Sequence, residues 1–271
     1  MRMQTDTSSM PHKRFSPQGG WASFVKKWLI RLSLGFFALS LLGTLLFAVV
    51  PVPFTPLMLQ RCLGHIASGR SPKLHKDWVP IEAISEGMIL AVVCAEDQKF
   101  MEHNGLDWDA IEKARKDNER RKKQGKPIRG ASTISQQCAK NVFLFPARTW
   151  VRKGFEVYFT LLIETIWSKE RIMEVYLNVI EVGDGIYGVQ AAAQDYFHKD
   201  ASALTNSEGA AIAAVLPNPR EFSVINPGAG ARKHKAQIFR QMKHFGNIEL
   251  SPEDEAETSQ APEPKRPPRK R

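Results

Sequence analysis

Three clusters of polar residues along the chain carry side chains that could take part in group-transfer chemistry. The first cluster, residues 96–105, opens with an acidic pair at the end of an otherwise apolar helical segment. A carboxylate at the boundary between a core and a cleft is partly desolvated, which raises its pKa and makes it a better proton acceptor. Glu96 is therefore a candidate general base, and an ordinary solvated helix end is the alternative. If the helix continues, Glu96, Phe100 and His103 share one face and Gly105 ends the helix.

The second cluster, residues 130–141, combines a flexible glycine with a polar stripe on a predicted helix. Ser132 can cap that helix, whose other side is apolar. Hydroxyl, amide and ammonium groups beside a helix N-terminus suit an anionic oxygen, and a wet surface face is the alternative interpretation. The stripe residues at helical spacing are Thr133, Gln136 or Gln137, and Lys140.

The third cluster, residues 147–164, places cations and one carboxylate on a single helical face. Arg148, Arg152 and Glu156 are spaced four residues apart, and Lys153 flanks them. An ion-pair ladder along a helix gives the same spacing without any function. Because the opposite side is strongly apolar, this helix could also bind a pyrophosphate through its cationic face.

An N-terminal apolar segment predicts a membrane anchor. Residues 32–50 contain no charged residue and are long enough, as a helix, to span roughly the hydrocarbon core of a bilayer. Basic residues dominate before this segment, so the positive-inside rule predicts a cytoplasmic N-terminus and an exported remainder. A cleaved signal peptide is the alternative, but its apolar core would be shorter. Topology thus explains part of the formal net charge of +10.

The remaining chain is predicted to form a mostly α-helical domain. Apolar residues recur at helical spacing from residue 81 to 246, with no run of alternating strands. Ser132, Ser168 and Ser207 are predicted N-caps. Helices are predicted at 81–95, 133–143, 147–167, 169–180, 188–197, 207–215 and 232–245.

The domain boundaries follow from changes in composition. The charged run 113–129 predicts a solvated helix end with a mobile loop, and a loop that closes over an acidic substrate is the alternative. Cys94 and Cys138 lie in apolar helical surroundings and are predicted to be buried thiols. The predicted parts are a disordered cytoplasmic tail at 1–27, a transmembrane helix at 28–50, a juxtamembrane segment at 51–79, a catalytic domain at 80–247 and a disordered tail at 248–271.

The polar clusters also occur in a recognisable order. They read Glu96-Asp97-x-x-Phe100-x-x-His103-x-Gly105, then Gly130-x-Ser132-Thr133-Ile134-x-Gln136-Gln137-x-x-Lys140-Asn141, then Arg152-Lys153-x-x-Glu156. Further motifs are Tyr176-Leu177-Asn178, Gly185-x-Tyr187-Gly188-Val189 and Leu216-Pro217-x-Pro219. This series resembles the peptidoglycan glycosyltransferase domain (glycosyltransferase family 51) of class A penicillin-binding proteins and of monofunctional biosynthetic enzymes. The match covers roughly residues 80–245, and the chain ends soon after, so the monofunctional form is expected.

The resemblance implies a two-lobed, lysozyme-like helical fold behind the single membrane helix. It implies lipid II as the substrate, a β-1,4-linked glycan strand as the product and undecaprenyl pyrophosphate as the leaving group. Glu96 would act as the general base, and Glu156 would orient the cations or hold a divalent cation such as Mg²⁺ or Mn²⁺. The implied substrate contacts are Asp97, Ser132, Gln137, Lys140, Arg148 and Arg152, and the implied structural residues are Phe100, His103 and Gly105.

Two other classes of function stay open from the residues alone. A lysozyme-type wall-cleaving enzyme would also use an acidic residue in a helical cleft, but it would not need the cations Lys140 and Arg152. A membrane-tethered scaffold would need no Glu96, and export argues against nucleic acid as a partner. The expected location is the bacterial inner membrane, with a periplasmic catalytic domain. The expected partners are lipid II, the growing glycan strand and membrane lipid, with cell-wall synthases or division proteins as further candidates.

Overall fold

The fold is known from a computed structural model that describes residues 18–128, 130–147 and 149–246, with side chains from Trp21 onward. Arg148 lies outside the described residues. The tail predicted at 248–271 and most of the tail predicted at 1–27 lie outside them as well. The described chain divides into one compact unit that ends at Gly43 and a second that begins at Thr44.

The first element is a long apolar helix, α1, over Gln18–Val49. Among the described residues it is the one helix that is long and apolar enough to cross a membrane. The prediction of a single such helix is confirmed in length and composition. The helix begins before the predicted membrane segment 28–50, since no proline interrupts the chain between Pro17 and Pro51, and the bounds of that segment stay a prediction.

The second unit is built mainly from helices, which confirms the mostly α-helical fold. Short 3-10 turns at Ile81–Ala83 and Ala201–Ala203 precede two of these helices. The helices are α2 (Pro56–Ala67), α3 (Glu86–Glu96), α4 (Trp108–Lys123), α5 (Ile134–Phe143), α6 (Trp150–Ile166), α7 (Lys169–Val179), α8 (Val189–Phe197), α9 (Asn206–Val215) and α10 (Ala229–Phe245).

These helices pack in two groups around one continuous hydrophobic core. Helices α5, α6 and α7 contact one another, and α3, α9 and α10 form the other group. Helices α3 and α9 approach closely because glycines meet where they cross: a Cβ on Gly209 would stand 3.0 Å from the carbonyl oxygen of Gly87. The two lobes and the likeness to lysozyme stay predictions.

A small three-stranded sheet is the main element that the sequence interpretation missed. Strand β3 (Ile186–Tyr187) lies in the centre, parallel to β1 (His75–Lys76) and antiparallel to β2 (Glu181–Gly183). Strands of two or three residues are too short to show an alternating pattern. Strand β1 belongs to the segment 51–79, and Met58 of that segment is fully buried in the core.

The helix ends correct several predicted caps. Ser168 caps α7 as predicted, because its side chain accepts the N–H of Arg171. Thr133 rather than Ser132 caps α5, and Thr205 rather than Ser207 caps α9, in each case through a reciprocal capping box with the residue three positions on. The predicted solvated helix within 113–129 is present as α4, none of whose residues is buried.

Candidate active site

Glu96 is the last residue of α3, at the end of a helix that is otherwise mostly core. Its partly exposed side chain lines a cavity of about 720 Å³, called here the Glu96 cavity. The side-chain amide of Gln137, on α5, donates a hydrogen bond through Nε2 to Glu96 Oε2 at 2.7 Å. The carboxylate therefore stands at the predicted boundary between core and cleft.

The surroundings of Glu96 raise the pKa of its carboxyl group. Desolvation by burial is the largest cause, and the nearby charge of Asp97 adds to it. The hydrogen bond from Gln137 and the charges of His234 and Lys140 act in the opposite direction. A carboxylate with a raised pKa is a stronger base, so the net direction suits the removal of a proton from a hydroxyl group.

Asp97 ends the helix and ties it to the start of α5. Its backbone leaves the helical region, with φ −161° and ψ 81°, and its side chain is almost fully buried. His103 Nε2 donates to both carboxylate oxygens at 3.0 Å, and the N–H of Ile134 donates to Oδ2 at 3.0 Å. Helix α3 therefore ends close to its predicted end at residue 95 and does not continue through Phe100 and His103, because the buried carboxylate binds the N-terminus of another helix. A contact between Asp97 and substrate stays a prediction.

The other residues of the first motif hold the turn that follows. His103 Nδ1 accepts the N–H of Gly105 at 3.1 Å, which leaves the proton on Nε2 for the carboxylate. Gly105 has φ +89°, and its carbonyl accepts the hydroxyl of Thr133 at 2.6 Å. Phe100 is fully buried under the ammonium of Lys169, 4.7 Å from the ring centre. These contacts are consistent with the structural role predicted for the motif.

The polar residues of the stripe on α5 have two different locations: two form the N-terminal cap of the helix, and two line a cavity. Thr133 and Gln136 form the capping box and are buried. Gln137 and Lys140 instead line a second cavity of about 590 Å³, called here the cationic cavity. Gln137 lines both cavities, so the two meet at its side chain. Polar residues lining the cationic cavity are Arg61, Gln137, Lys140, Asn141, Arg152, Tyr176, Glu181 and Asn218.

Lys140 lies within electrostatic range of both candidate catalytic acids. Burial lowers the pKa of its ammonium group, while the charges of Glu156 and Glu96 act to raise it. Within the part of the chain that the structure describes, the ammonium makes no hydrogen bond or ion pair. Its three N–H donors are therefore available to an anionic ligand in the cationic cavity.

Glu156, on α6, is 2% exposed, and both of its carboxylate oxygens are bonded to cations. Arg152 Nη1 donates to Oε2 at 2.6 Å, and Lys153 Nζ donates to Oε1 at 2.5 Å. Arg152 and Glu156 share a helical face as predicted. The predicted helix start at residue 147 is wrong, because Thr149 caps α6 and the helix begins at Trp150.

The side chains around Glu156 do not fit a protein-held divalent cation. Mg²⁺ and similar ions take several oxygen ligands, usually carboxylates and waters. The partners of Glu156 are two cations, and among the described residues no group of three His, Cys, Asp or Glu side chains is arranged to hold a metal. The donor set at Glu156 is that of an ion-pair network.

Ser132 and Lys153 connect the second and third motifs. Ser132 lines the Glu96 cavity, and its hydroxyl oxygen accepts a hydrogen bond from Lys153 Nζ at 3.4 Å. Lys153 thus bridges Ser132 and Glu156. The sequence interpretation noted Lys153 only as a flanking residue, although its spacing of three residues from Glu156 is the signal that could have found it.

Two further residues line the cationic cavity: Tyr176, which belongs to a motif but was given no role, and Arg61, which lies outside the motifs. The hydroxyl of Tyr176, on α7, donates to Gln137 Oε1 at 3.4 Å. Arg61, on α2, lines the cavity and forms a two-point ion pair with Glu181. Arg61 was missed because its segment was predicted to lie outside the catalytic domain.

A partly exposed carboxylate base lies beside a cation-lined cavity, and Gln137 and Pro217 line both cavities. This arrangement defines a transferase site for a substrate with an anionic leaving group. A family model described as Transglycosylase matches residues 64–243. The chain belongs to the transglycosylase family and is a glycosyltransferase.

Proteins similar to this chain carry a more specific description. The biosynthetic peptidoglycan transglycosylase of Bdellovibrio bacteriovorus is 54% identical over 203 residues, which is 75% of this chain and 80% of the relative. The protein of the same name from Shigella boydii is 52% identical over 225 residues, covering 83% and 92% of the two chains. That of Pasteurella multocida is 49% identical over 232 residues, covering 85% and 92%.

Proposed function

We propose that the protein polymerises lipid II into β-1,4-linked glycan strands of peptidoglycan and releases undecaprenyl pyrophosphate. The observation that carries this proposal is the meeting of the Glu96 cavity and the cationic cavity at Gln137. One cavity offers a base for a sugar hydroxyl, and the other offers charge for a pyrophosphate. The biosynthetic peptidoglycan transglycosylases among the similar proteins support the same reaction here.

Glu96 acts as the general base of this reaction. A sugar hydroxyl is a weak nucleophile at neutral pH, so a positioned base must take its proton as the new bond forms. The 4-hydroxyl oxygen of the acceptor sugar attacks the anomeric carbon of the donor, and the bond from that carbon to the pyrophosphate breaks. Attack from the face opposite the leaving group inverts the anomeric configuration. The raised pKa of Glu96 supports this role.

The cationic cavity stabilises the leaving group. Negative charge grows on the departing pyrophosphate, and fixed cations that already face it lower the barrier. Lys140 supplies unpaired N–H donors, and Arg152 is held in place by Glu156. Glu156 acts here by orienting cations. Arg148 stays a predicted substrate contact, as do Ser132 and Gln137.

Helix α1 anchors the enzyme in the inner membrane, where its lipid-linked substrate resides. The basic residues Lys26, Lys27 and Arg31 precede the uncharged stretch, which supports a cytoplasmic N-terminus and a periplasmic catalytic domain. Membrane lipid is thus one partner. Contacts with cell-wall synthases or division proteins stay predictions of the sequence.

Incubation of the detergent-solubilised full chain with purified lipid II tests the proposal. The wild type is expected to form glycan strands that a muramidase digests, and Glu96→Gln is expected to form none. Glu119→Gln is the matched control, since Glu119 is exposed on α4 and lines neither cavity. It is expected to match the wild type.

Two results would overturn the proposed function. Release of sugar fragments from isolated cell wall, without polymer from lipid II, would identify a wall-cleaving enzyme of lysozyme type. No product from either substrate, with an intact growth phenotype for Glu96→Gln in cells, would identify a scaffold.

A further inference from the structure

A chain of hydrogen bonds runs from the buried Tyr176 to the candidate base. Tyr176 on α7 donates its hydroxyl proton to Gln137 Oε1 on α5, at 3.4 Å. Gln137 Nε2 donates in turn to Glu96 Oε2 on α3, at 2.7 Å. The phenol is fully buried, and Gln137 is its hydrogen-bond partner among the described residues. Three helices from both packing groups therefore meet in this chain.

The chemistry of the amide makes its orientation matter. A glutamine side chain has one oxygen that accepts hydrogen bonds and one nitrogen that donates them, whereas an ionised carboxylate only accepts. When the nitrogen faces Glu96, the hydrogen bond stabilises the ionised carboxylate. When the amide is reversed, its oxygen faces the carboxylate, and that contact is favourable only if the carboxyl group is protonated.

We propose that Tyr176 is a positioning residue that holds the Gln137 amide with its nitrogen toward Glu96, and so keeps the base ionised and correctly oriented. In this orientation the phenol hydroxyl donates to Oε1 while Nε2 donates to the carboxylate, so both ends of the amide are satisfied. In the reversed orientation the phenol oxygen could accept from Nε2, but Oε1 would face a carboxylate that can only accept. Tyr176 acts through Gln137 and does not itself contact the reacting atoms. This inference rests on the proposed function, in which Glu96 takes the proton of the acceptor hydroxyl.

Three charged groups near Glu96 also influence its ionisation. His234 of α10 and Lys140 of α5 favour its ionised form, and Asp97 opposes it. None of these three groups forms a hydrogen bond with the carboxylate within the described part of the chain. The hydrogen bond from Gln137 is therefore the contact with Glu96 that depends on the orientation of an amide, and the hydroxyl of Tyr176 acts on that orientation.

A second buried tyrosine provides a matched control. Tyr187 on β3 is also fully buried, but its hydroxyl has no hydrogen-bond partner among the described residues. Tyr187→Phe removes the same atom from the same degree of burial without reaching Gln137. Any effect of Tyr176→Phe that Tyr187→Phe lacks cannot come from the loss of a buried hydroxyl in general.

The test compares the pH dependence of kcat/KM for the wild type, Tyr176→Phe and Tyr187→Phe with lipid II. Loss of the oriented hydrogen bond raises the pKa of Glu96, so a larger share of the base is protonated at acidic pH. Tyr176→Phe is expected to lose activity about threefold to tenfold at the acidic end and to stay within about twofold of wild type on the alkaline plateau. In a Gln137→Ala background, Tyr176→Phe is expected to have no further effect on the profile.

A direct titration of the Glu96 carboxyl group tests the role of Tyr176 independently of the enzyme assay. In the protein labelled with carbon-13 at glutamate carboxyl groups, the Glu96 resonance is identified by its absence in Glu96→Gln. Its titration midpoint is expected to move to higher pH in Tyr176→Phe and to stay in place in Tyr187→Phe. Identical midpoints in all three proteins would overturn the inference, even if the wild type polymerises lipid II. An inactive wild type would overturn the proposed function, and the titration would still decide the role of Tyr176.

Discussion

Arg152 Nη1 lies 2.6 Å from Glu156 Oε2, one helical turn along α6, and the carboxylate is 2% exposed. Lys153 occupies the other carboxylate oxygen, so two cations share one buried anion. The group keeps a net positive charge, and Arg152 still lines the cationic cavity. Glu156 therefore fixes the direction of a cation without cancelling the positive charge of the cavity wall.

Replacement of Glu156 by glutamine is expected to lower both activity and stability. The amide accepts a hydrogen bond from one cation only and presents N–H groups to the other, which leaves Arg152 poorly oriented. We expect a loss of polymerisation rate of about tenfold or more. We expect the free energy of unfolding to fall by about 1 to 3 kcal/mol, because the cations are partly exposed and solvent limits the loss.

Enzyme assays and denaturant titration of the same preparation measure both effects. Glu112→Gln is the control, since Glu112 forms a comparable but exposed ion pair with Lys116 at 2.7 Å. The control is expected to change stability by less than about 0.5 kcal/mol. Equal effects of the two substitutions would show that the buried network contributes nothing beyond an ordinary surface pair.

Glu96→Gln is expected to abolish activity. It is also expected to be more stable than the wild type, by a margin that grows as the pH rises. Burial raises the pKa of Glu96 in the folded state, so the unfolded state releases this proton at a lower pH than the folded state. Between the two pKa values the folded state binds more protons, and the wild type loses stability as the pH rises through that window. A neutral glutamine avoids this loss. Thermal unfolding should give Glu96→Gln a Tm advantage that grows from acidic to neutral pH, and an advantage that shrinks would contradict the sign of the pKa shift.

The periodic features of the sequence predicted the helical fold well. Apolar spacing located α5 and α7 to within about two residues, because a helix that packs against a core repeats its apolar positions. Helix ends were less predictable, because neighbouring residues such as Ser132 and Thr133 can both act as caps. Only packing decides between them.

The sequence alone did not predict the contacts between residues that are distant along the chain. The hydrogen bond from the N–H of Ile134 to Asp97 spans 37 positions, and that from Tyr176 to Gln137 spans 39. Residue type and spacing indicate what a side chain can do, but the partner depends on which helices meet. The motif residues were therefore found, while the partners of Asp97 and the part played by Tyr176 needed the fold.

Lys140→Met is expected to weaken the binding of inorganic pyrophosphate to the cationic cavity. The Lys140 ammonium has unpaired donors there, and a hydrogen bond to a charged group is worth enough to change Kd about tenfold. Thermal unfolding with increasing pyrophosphate measures this without turnover, since a ligand that binds the folded state raises Tm. Lys116→Met, an exposed lysine on α4 outside both cavities, is the control and should keep the wild-type response. An unchanged response in Lys140→Met would place the anion elsewhere.

Gly105→Ala is expected to destabilise the turn after α3 by about 2 to 4 kcal/mol. Gly105 has φ +89°, a left-handed conformation that costs other residues about 1 to 2 kcal/mol. An added Cβ would also stand 2.7 Å from Thr160 Cγ2 and 3.0 Å from Glu164 Cγ, inside a packed region that cannot yield without cost. Both strain and overlap therefore act at this position.

Gly125→Ala separates these two contributions. Gly125 also has a left-handed backbone, with φ +63°, but a Cβ there would meet nothing within 4 Å. Denaturant unfolding is expected to show a loss of about 1 kcal/mol for Gly125→Ala and a clearly larger loss for Gly105→Ala. Because the Gly105 carbonyl accepts the Thr133 hydroxyl at the cap of α5, Gly105→Ala should also reduce polymerisation, whereas Gly125→Ala should not. Equal losses of stability would show that the side chains around Gly105 accommodate the added Cβ at no cost in free energy. The left-handed backbone conformation alone would then disfavour alanine at this position.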